Sequence, residues 1–497
     1  MTIPFPVRSS RIPTTLYRIV FFRKMSYQGF IAPEKIVPPV HRDMKSLDRS
    51  LFSLTFDVWT VIFPDVAQMG EFIKRFKQDT VQISRLPFLF RLSKSENKLE
   101  EYPKNPDYKA VALNHKIHSL GDIEDHISPE ARKYIQDCDG KFFKHRFTLD
   151  YNFWRADEIL QSILPENLLH GVPTSFTKTG HVAHVNLKDE YKPYDSLIGQ
   201  VILDKNPSIK TVVDKQDSID TVFRTFNMKV IAGEHDLLVE QKESDCVFTF
   251  DFSKVYWNSR LSTEHGRLIK MFKPGDAVCD VMAGVGPFAV PSGKKQCIVF
   301  ANDLNPESYK YLKLNVKKNK VDSFVNYFNE DGREFIRKSS SMLAHFAEEH
   351  KQIEVCKPNA RGTKKHKVTK VEIPGFFSHY VMNLPESAIT FVDAFVGLFS
   401  NAFPELTRRE VKSLPGYKLP VIHVHHFEKF APTENPEPTE QELQHRIHRK
   451  LVDLLKFEIP FENLSFHYVR LVAPTKPMFC VSFTLPEEVA FAASEKK

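Results

Sequence analysis

One stretch limits the fold of this chain more than any other: an apolar run, a glycine-containing turn, and a second apolar run that ends in an acid. Residues 277–281 read as a buried strand, and the next turn carries Gly284 and Gly286. The second run, 298–301, leads to Asp303. Glycines let a cofactor approach the backbone, and an acid at the next strand end suits a ribose diol. The pattern indicates a nucleoside cofactor, although Ala289 stands where a dinucleotide loop has its third glycine; an ordinary tight turn is the alternative.

Strand-like and helix-like segments alternate from about residue 263 to 497, which predicts a doubly wound parallel sheet. We expect strands at 278–281, 298–303, 325–328, 379–382 and 421–425, a helix at 440–456, and a closing hairpin of 466–471 with 479–484. Such a hairpin is characteristic of the class I, Rossmann-like methyltransferase fold. Ligands of these sheets bind at the carboxyl ends of the strands. Four strand ends carry suitable residues, namely Gly284–Gly286, Asp303, Asp331-Gly332 and Asn383-Leu384-Pro385.

Two smaller α+β modules are expected ahead of this domain. Residues 34–144 open with a strand-like stretch and close with a charged helix, and their role is either binding or scaffolding. Residues 145–262 are rich in short strands, with a hairpin turn expected at 233–236. A strand-rich module next to a nucleotide-binding domain often presents substrate to it.

The N-terminal segment, residues 1–33, contains no acid but carries Arg8, Arg11, Arg18, Arg23 and Lys24. This composition is typical of a mitochondrial presequence, with a disordered basic tail as the alternative. Initiation at Met25 would remove all five charges. We therefore expect a mitochondrial matrix form and a cytosolic or nuclear form.

Composition bears on the partners of the chain, on metal and disulfide sites and on its compartment. The formal net charge of +7 suits a polyanionic partner. Six scattered cysteines form no C-x-x-C pair, which argues against a zinc site or a disulfide framework and favours a reducing compartment. No apolar run reaches the roughly eighteen residues of a membrane span, so no membrane partner is expected.

Several motifs together resemble the eukaryotic branch of the tRNA (guanine-37, N1)-methyltransferases. The motifs are 223–225, 253–261, Glu264-His265, 280–288, 302–306, 331–333 and 383–386. The resemblance implies S-adenosylmethionine as cofactor, and a monomer that acts on tRNAs with guanosine at position 37 and not on DNA. It further implies that the first domain touches the tRNA elbow, that the product leads towards wybutosine in tRNA-Phe, and that the modification supports reading-frame maintenance.

The chemistry explains the residues that the resemblance selects. Guanine N1 carries a proton that a general base must remove, and negative charge then moves onto O6. The resemblance implies that Glu264 is the base, that Arg224 holds the charge at O6, that Asn383 positions the guanine or the cofactor, and that Pro385 rigidifies its turn. No metal is needed, because the methyl group is already activated. The implied cofactor-binding residues are Tyr256, His265, Gly284, Gly286, Asp303, Leu304, Asn305, Asp331, Gly332 and Asn383.

Each residue also has a plain structural interpretation. Glu264 could be a solvated acid in the first turn of a helix, Arg224 a partner of a surface acid, Tyr256 a core residue and His265 a surface histidine. Residues His423, His425 and His426 lie on a predicted strand, and 421–427 contain no acidic or Cys residue. We interpret those three as core and surface residues and not as metal ligands.

An insertion at about 339–373 separates this chain from the shorter archaeal pattern of the family. Within it, residues 351–370 carry seven Lys or Arg and a single acid, Glu354, so we expect a mobile loop that contacts phosphates, or a loop without a role. Two other functions stay open. One is transfer of the aminocarboxypropyl group of the same cofactor, as in the wybutosine pathway, and the other is tRNA binding without catalysis.

Overall fold

The structure, a computed structural model, describes residues 36–42, 44–92, 109–219, 223, 226–357 and 367–493. The chain forms two compact units, one built mainly from residues 48–163 and one mainly from residues 164–497. The basic segment 1–33 lies outside the described residues, and the three-domain division stays a prediction. Within the described ranges, no helix combines the length and the apolar character that crossing a membrane requires.

The first unit is a four-stranded antiparallel sheet with helices. Its strands are β1 (Leu54–Ile62), β2 (Leu89–Arg91), β3 (Lys109–Ala112) and β4 (Lys141–Leu149), in the order β2-β3-β1-β4. Its helices are α1 (Val66–Arg75), α2 (Ile123–His126), α3 (Pro129–Asp137) and α4 (Ala156–Ile163). Asp65 begins α1 with a capping box that includes Gln68. Phe63, Phe72 and Val111 lie in the core between the sheet and these helices.

The second unit begins with two small sheets. Strands β5 (Thr177–Thr179), β6 (Val182–Val185), β7 (Thr211–Ile219) and β8 (Phe226–Gly233) follow one another across the first sheet, with α5 (Asp195–Lys205) between β6 and β7. Strands β9 (Leu238–Glu243) and β10 (Cys246–Asp251) form the second.

The prediction of a hairpin turn at residues 233–236 is wrong. Strand β8 pairs with β7 and β9 pairs with β10, so residues 234–237 cross from one sheet to the other. The tight turn lies instead at Ser244-Asp245, which adopt φ of 49° and 57°. Gly233, at φ 86°, is needed for close packing, because a Cβ there would lie 2.1 Å from the Lys210 carbonyl oxygen.

The main sheet confirms the predicted methyltransferase-type fold. Its strands are β11 (Ala277–Asp280), β12 (Ile298–Asn302), β13 (Val325–Phe328), β16 (His379–Met382), β17 (Val421–Phe427), β18 (Ser465–Ala473) and β19 (Lys476–Thr484). The order is β13-β12-β11-β16-β17-β19-β18, parallel except for the closing β18–β19 hairpin. Chain order reverses between β11 and β16, and this switch point is where such sheets bind ligands.

Helices cover both faces of the main sheet. One face carries α6 (Ser262–Met271), α7 (Ala289–Lys294) and α8 (Pro306–Lys318); the other carries α9 (Gly332–His350), α12 (Glu440–Leu455) and the 3-10 segment Ala388–Phe395. The short helices α10 (Leu398–Ala402), α11 (Arg408–Ser413) and α13 (Glu487–Ala490) complete the unit. Successive strand residues alternate between the two faces, so Ile422 and Val424 lie in one core while His423 and His425 point to the face of α6.

The insertion is more ordered than a loop. Helix α9 runs through residues 339–350, and β14 (Gln352–Lys357) pairs with β15 (Lys367–Glu372) in an antiparallel ribbon. Glu354 and Lys370 face each other across it at 3.3 Å. The expectation of a loop at 351–370 is therefore wrong for β14 and β15, because the two strands pair with each other. Helix α9, which packs Leu343 into the core, ends at His350 ahead of this stretch. Residues 358–366 lie outside the described residues.

Candidate functional site at the carboxyl ends of the strands

The turn after β11 is shaped by its two glycines. Gly284 has φ 56° and Gly286 has φ 100°, values that side-chain-bearing residues rarely adopt. A Cβ on Gly286 would lie 2.8 Å from Val290 and 2.9 Å from Leu312, whereas one on Gly284 would meet nothing within 4 Å. Gly286 thus allows close packing on α7 and α8, and Gly284 leaves the turn open to a ligand.

Asp303 closes this turn from the next strand end. Its Oδ2 accepts the Gly284 N–H at 2.8 Å, and its Oδ1 accepts the Asn305 N–H at 2.9 Å. Two backbone donors leave lone pairs on a carboxylate for further donors. Asn305 caps α8 and donates to the Lys254 carbonyl at 2.9 Å, while Leu304 is exposed. Asp303, Leu304 and Asn305 thus lie together beside the glycine turn, where the sequence predicts a ribose site.

The third strand end holds Asp331 and Gly332 at the start of α9. The Asp331 carboxylate accepts the backbone N–H groups of Arg333 and Glu334, so it caps the helix. A Cβ on Gly332 would lie 3.1 Å from Phe391 and 3.4 Å from Val281. Gly332 is therefore packed against the end of β11.

Two buried polar groups at the switch point have no hydrogen-bond partner among the described residues: both carboxyl oxygens of Asp280 and the Oδ1 of Asn383. Burial and then the charge of Asp303 raise the pKa of Asp280 to about 8, although the charge of His425 opposes this. Unpaired buried polar atoms are costly and rare. Asp280 was not singled out as a ligand from the sequence, although it directly precedes the glycine turn.

Pro385, two residues after Asn383, is buried, and its carbonyl accepts the Phe427 N–H at 2.9 Å.

Glu264 lies in the first turn of α6, and its side chain is only 3% exposed. Its Oε2 accepts from Arg267 Nε at 2.6 Å, and its Oε1 accepts from Arg267 Nη2 at 2.8 Å. Oε1 also lies 2.9 Å from His425 Nε2. Burial opposes ionisation, but the bonds from Arg267 and then His425 outweigh it and lower the pKa of Glu264 below its usual range. Glu264 is thus a buried, paired carboxylate and not a solvated acid.

His425 is the buried partner of Glu264 on β17. Its Nδ1 lies 3.3 Å from the Met382 carbonyl, so both ring nitrogens face acceptors and the imidazolium form satisfies both. Burial disfavours that charge, but Cys480 and Glu264 outweigh burial and raise the pKa of His425. Since Met382 ends β16, the pair sits next to Asn383 at the switch point.

The interpretation of the three histidines needs correction on two points. His423, His425 and His426 are all buried, so none is a surface residue. Two of them also have acidic partners: His425 lies 2.9 Å from Glu264, and His426 lies 3.1 Å from Glu428. Sequence spacing along β17 could not reveal neighbours on α6 and β19.

One cluster of potential metal ligands lies among the described residues. Glu264, His425 and Cys480 place one ligand atom each within 4.8 Å of one another. The guanidinium of Arg267 binds both Glu264 oxygens, and a cation there repels a metal ion. We therefore interpret the cluster as an ion-pair network.

The remaining predicted site residues, His265 and Tyr256, differ in burial. His265 is buried, with Nδ1 2.5 Å from Glu243 and its ring edge-on to Phe288 at 4.8 Å; its Nε2 has no partner in the described part of the chain. Phe288 also lies 5.9 Å from the His425 ring. Tyr256 is 41% exposed. Arg224 lies outside the described residues, so its role stays a prediction.

Comparison with known proteins identifies the family. A model of the TYW2 N-terminal domain matches residues 156–236, and one of the TRM5/TYW2 methyltransferase domain matches residues 239–354. The Candida albicans (strain SC5314) protein named tRNA (guanine(37)-N(1))-methyltransferase is 47% identical, over 93% of this chain and 100% of that protein. Its Saccharomyces cerevisiae counterpart, of the same name, is 46% identical over 91% of this chain and 95% of that protein.

A solved structure shows the same fold. The complex of aTrm5 with tRNALeu superimposes with a TM-score of 0.53, over 86% of this chain and all of that chain, at 17% sequence identity. At that identity the likeness supports the fold, while the fungal relatives carry the family assignment. The chain belongs to the family of the tRNA (guanine(37)-N(1))-methyltransferases.

Proposed function

We propose that this protein transfers a methyl group from S-adenosylmethionine to N1 of guanosine 37 in tRNA. The observation that carries the proposal is a buried, ionised carboxylate, Glu264, held beside the switch point of a methyltransferase-type sheet. The names of the fungal relatives point to the same reaction.

The strand ends fit S-adenosylmethionine. The unpaired Asp280 carboxyl calls for a donor or a cation, and the ligand carries an ammonium group. Asp303 accepts from two backbone amides and from Ser308, and a carboxylate with three donors still has a lone pair for a ribose hydroxyl. Gly284 allows close approach to the backbone, since nothing lies within 4 Å of where its Cβ would be. When bound, the cofactor supplies a methyl group activated by a positively charged sulfur.

Glu264 removes the N1 proton in this mechanism. Its lowered pKa keeps it ionised at neutral pH, so it can accept a proton. A carboxylate of low pKa is a weak base, but the N1 proton becomes more acidic as N1 bonds to the methyl carbon. Asn383, whose Oδ1 has no hydrogen-bond partner among the described residues, orients the guanine through a donor on the base edge. Stabilisation of O6 by Arg224 remains part of the proposal.

The partner is tRNA with guanosine at position 37, as the names of the relatives suggest. We propose that the protein works as a monomer, that its first unit contacts the tRNA elbow, and that the product enters wybutosine synthesis in tRNA-Phe. We further propose that it acts in mitochondria and in the cytosol, through the two initiation sites Met1 and Met25.

Labelled cofactor tests the reaction directly. The purified protein is incubated with a tRNA transcript carrying guanosine 37 and with S-adenosylmethionine labelled either in the methyl group or in the carboxyl group. We expect methyl label in 1-methylguanosine at position 37, no carboxyl label, and no reaction with an adenosine-37 transcript. Carboxyl label in the tRNA would indicate aminocarboxypropyl transfer, and no label at all would indicate a binding protein.

A further inference from the structure

The proposed base needs a route by which its proton reaches solvent. Glu264 is 3% exposed and is held by Arg267 and His425. Arg267 cannot lose a proton in a protein. His425 is fully buried, and both of its ring nitrogens already face acceptors. Neither neighbour can therefore carry the proton out of the site.

A third neighbour reaches the solvent. His467 on β18 places its Nε2 3.4 Å from Glu264 Oε2, and its side chain is 45% exposed. Strand pairing fixes this position: His467 is opposite Cys480 on β19, and Cys480 is opposite His425 on β17. Directly opposed residues share a face, so the three side chains form a row beneath α6.

The groups around His467 favour its neutral imidazole form, which can accept a proton. Glu264 and Arg267 face it from α6, His425 from β17 and Cys480 from β19. Burial, then the charge of Arg267, lower the pKa of His467 in spite of the opposing effect of Glu264. The imidazole is thus neutral at neutral pH.

We propose that His467 releases the reaction's proton: it takes from Glu264 the proton that leaves guanine N1 and passes it to solvent. This proposal rests on the proposed function. His467 acts through Glu264 and does not contact the substrate, so it is a positioning residue and not a catalytic residue.

The step balances without a further reagent. The N1–C bond forms as the S–C bond breaks, and the sulfur keeps that electron pair. The N1–H electron pair returns to the ring, and the proton goes to Glu264 Oε2. The O–H bond then breaks as a bond forms to His467 Nε2, and the imidazolium loses a proton to water at its exposed side. Glu264 is left ionised for the next turnover.

The test compares His467→Gln with the matched variant His345→Gln, an exposed histidine on α9 whose side chain is 72% accessible. Single-turnover methylation of a guanosine-37 transcript is measured against pH, with and without added imidazole. We expect His467→Gln to slow methyl transfer by about tenfold or more, less than the roughly hundredfold typical of losing the base itself, because His467 acts through Glu264. We expect the wild-type rate to fall on the acid side of neutrality, as His467 becomes protonated, and we expect His467→Gln to lose this fall.

Added imidazole should restore much of the rate of His467→Gln and should leave wild type and His345→Gln unchanged. A His467→Gln rate equal to wild type would overturn the proposal, and so would a slow rate that imidazole does not restore, since that indicates a structural role. Failure of the proposed function is recognised separately, because wild type would then form no 1-methylguanosine.

Discussion

At the scale of single residues, the site combines paired and unpaired buried acids. Glu264 is stabilised as an anion by Arg267 and His425, whereas Asp280 has no side-chain partner among the described residues and is held towards its neutral form. In the proposed mechanism the two acids have different roles: Glu264 accepts a proton, and Asp280 binds a positively charged group of the ligand.

Asp280 should cost stability in a pH-dependent way. Its pKa is raised from 3.8 to about 8 by burial and by Asp303. The unfolded chain releases this proton near pH 4 and the folded protein only near pH 8, so folding stability falls as pH rises between these values. We expect Asp280→Asn to be more stable than wild type at pH 8, by a margin that disappears near pH 4.

Thermal unfolding across this pH range measures the effect, with Asp322→Asn as an exposed control in the same unit. A margin between wild type and Asp280→Asn that does not change with pH would show that Asp280 is ionised in the folded protein.

At the scale of elements, the sequence predicts those features that depend only on residues close together in the chain. The strand that ends at Asp280, the glycine turn and the Asn305 cap of α8 follow from apolar runs and turn residues within thirty positions. The bond between Glu264 and His425 joins residues 161 positions apart, and only the sheet order brings them together. The prediction of a hairpin at 233–236 was wrong for the same reason, because the residues of a turn do not determine which strands pair.

The glycine turn offers a matched pair of substitutions. Gly284→Ala adds only the cost of a left-handed backbone, about 1–2 kcal/mol, because its Cβ meets nothing within 4 Å. Gly286→Ala adds a steric clash with Val290 and Leu312, typically about 1–3 kcal/mol more. Denaturant unfolding should rank wild type above Gly284→Ala and Gly284→Ala above Gly286→Ala. Equal losses would mean that the turn relaxes around the added methyl group.

At the scale of the whole molecule, we propose that the acid-free segment 1–33 directs the protein to mitochondria and takes no part in the reaction. The site residues that the structure describes lie between Glu243 and Cys480, and Arg224, whose role is proposed, also lies far along the chain from that segment. Removing the segment should therefore change where the protein goes and leave the chemistry intact.

Deletion of residues 1–24 tests this separation in cells. We expect the mitochondrial pool and mitochondrial 1-methylguanosine to disappear while cytosolic tRNA stays modified, because the five basic residues of the presequence-like segment are lost. Fractionation and mass spectrometry of mitochondrial tRNA provide the measurement. Normal mitochondrial modification in the deletion strain would identify the segment as an extension without a targeting role.

The central claim, that Glu264 removes the N1 proton during methyl transfer, is tested most directly by single-turnover kinetics of Glu264→Gln. The amide keeps the shape of the side chain and loses the base, so we predict a methyl-transfer rate about a hundredfold or more below wild type. Calorimetry should find cofactor and tRNA binding nearly unchanged. A single-turnover rate within about threefold of wild type would contradict the account and show that another group removes the proton.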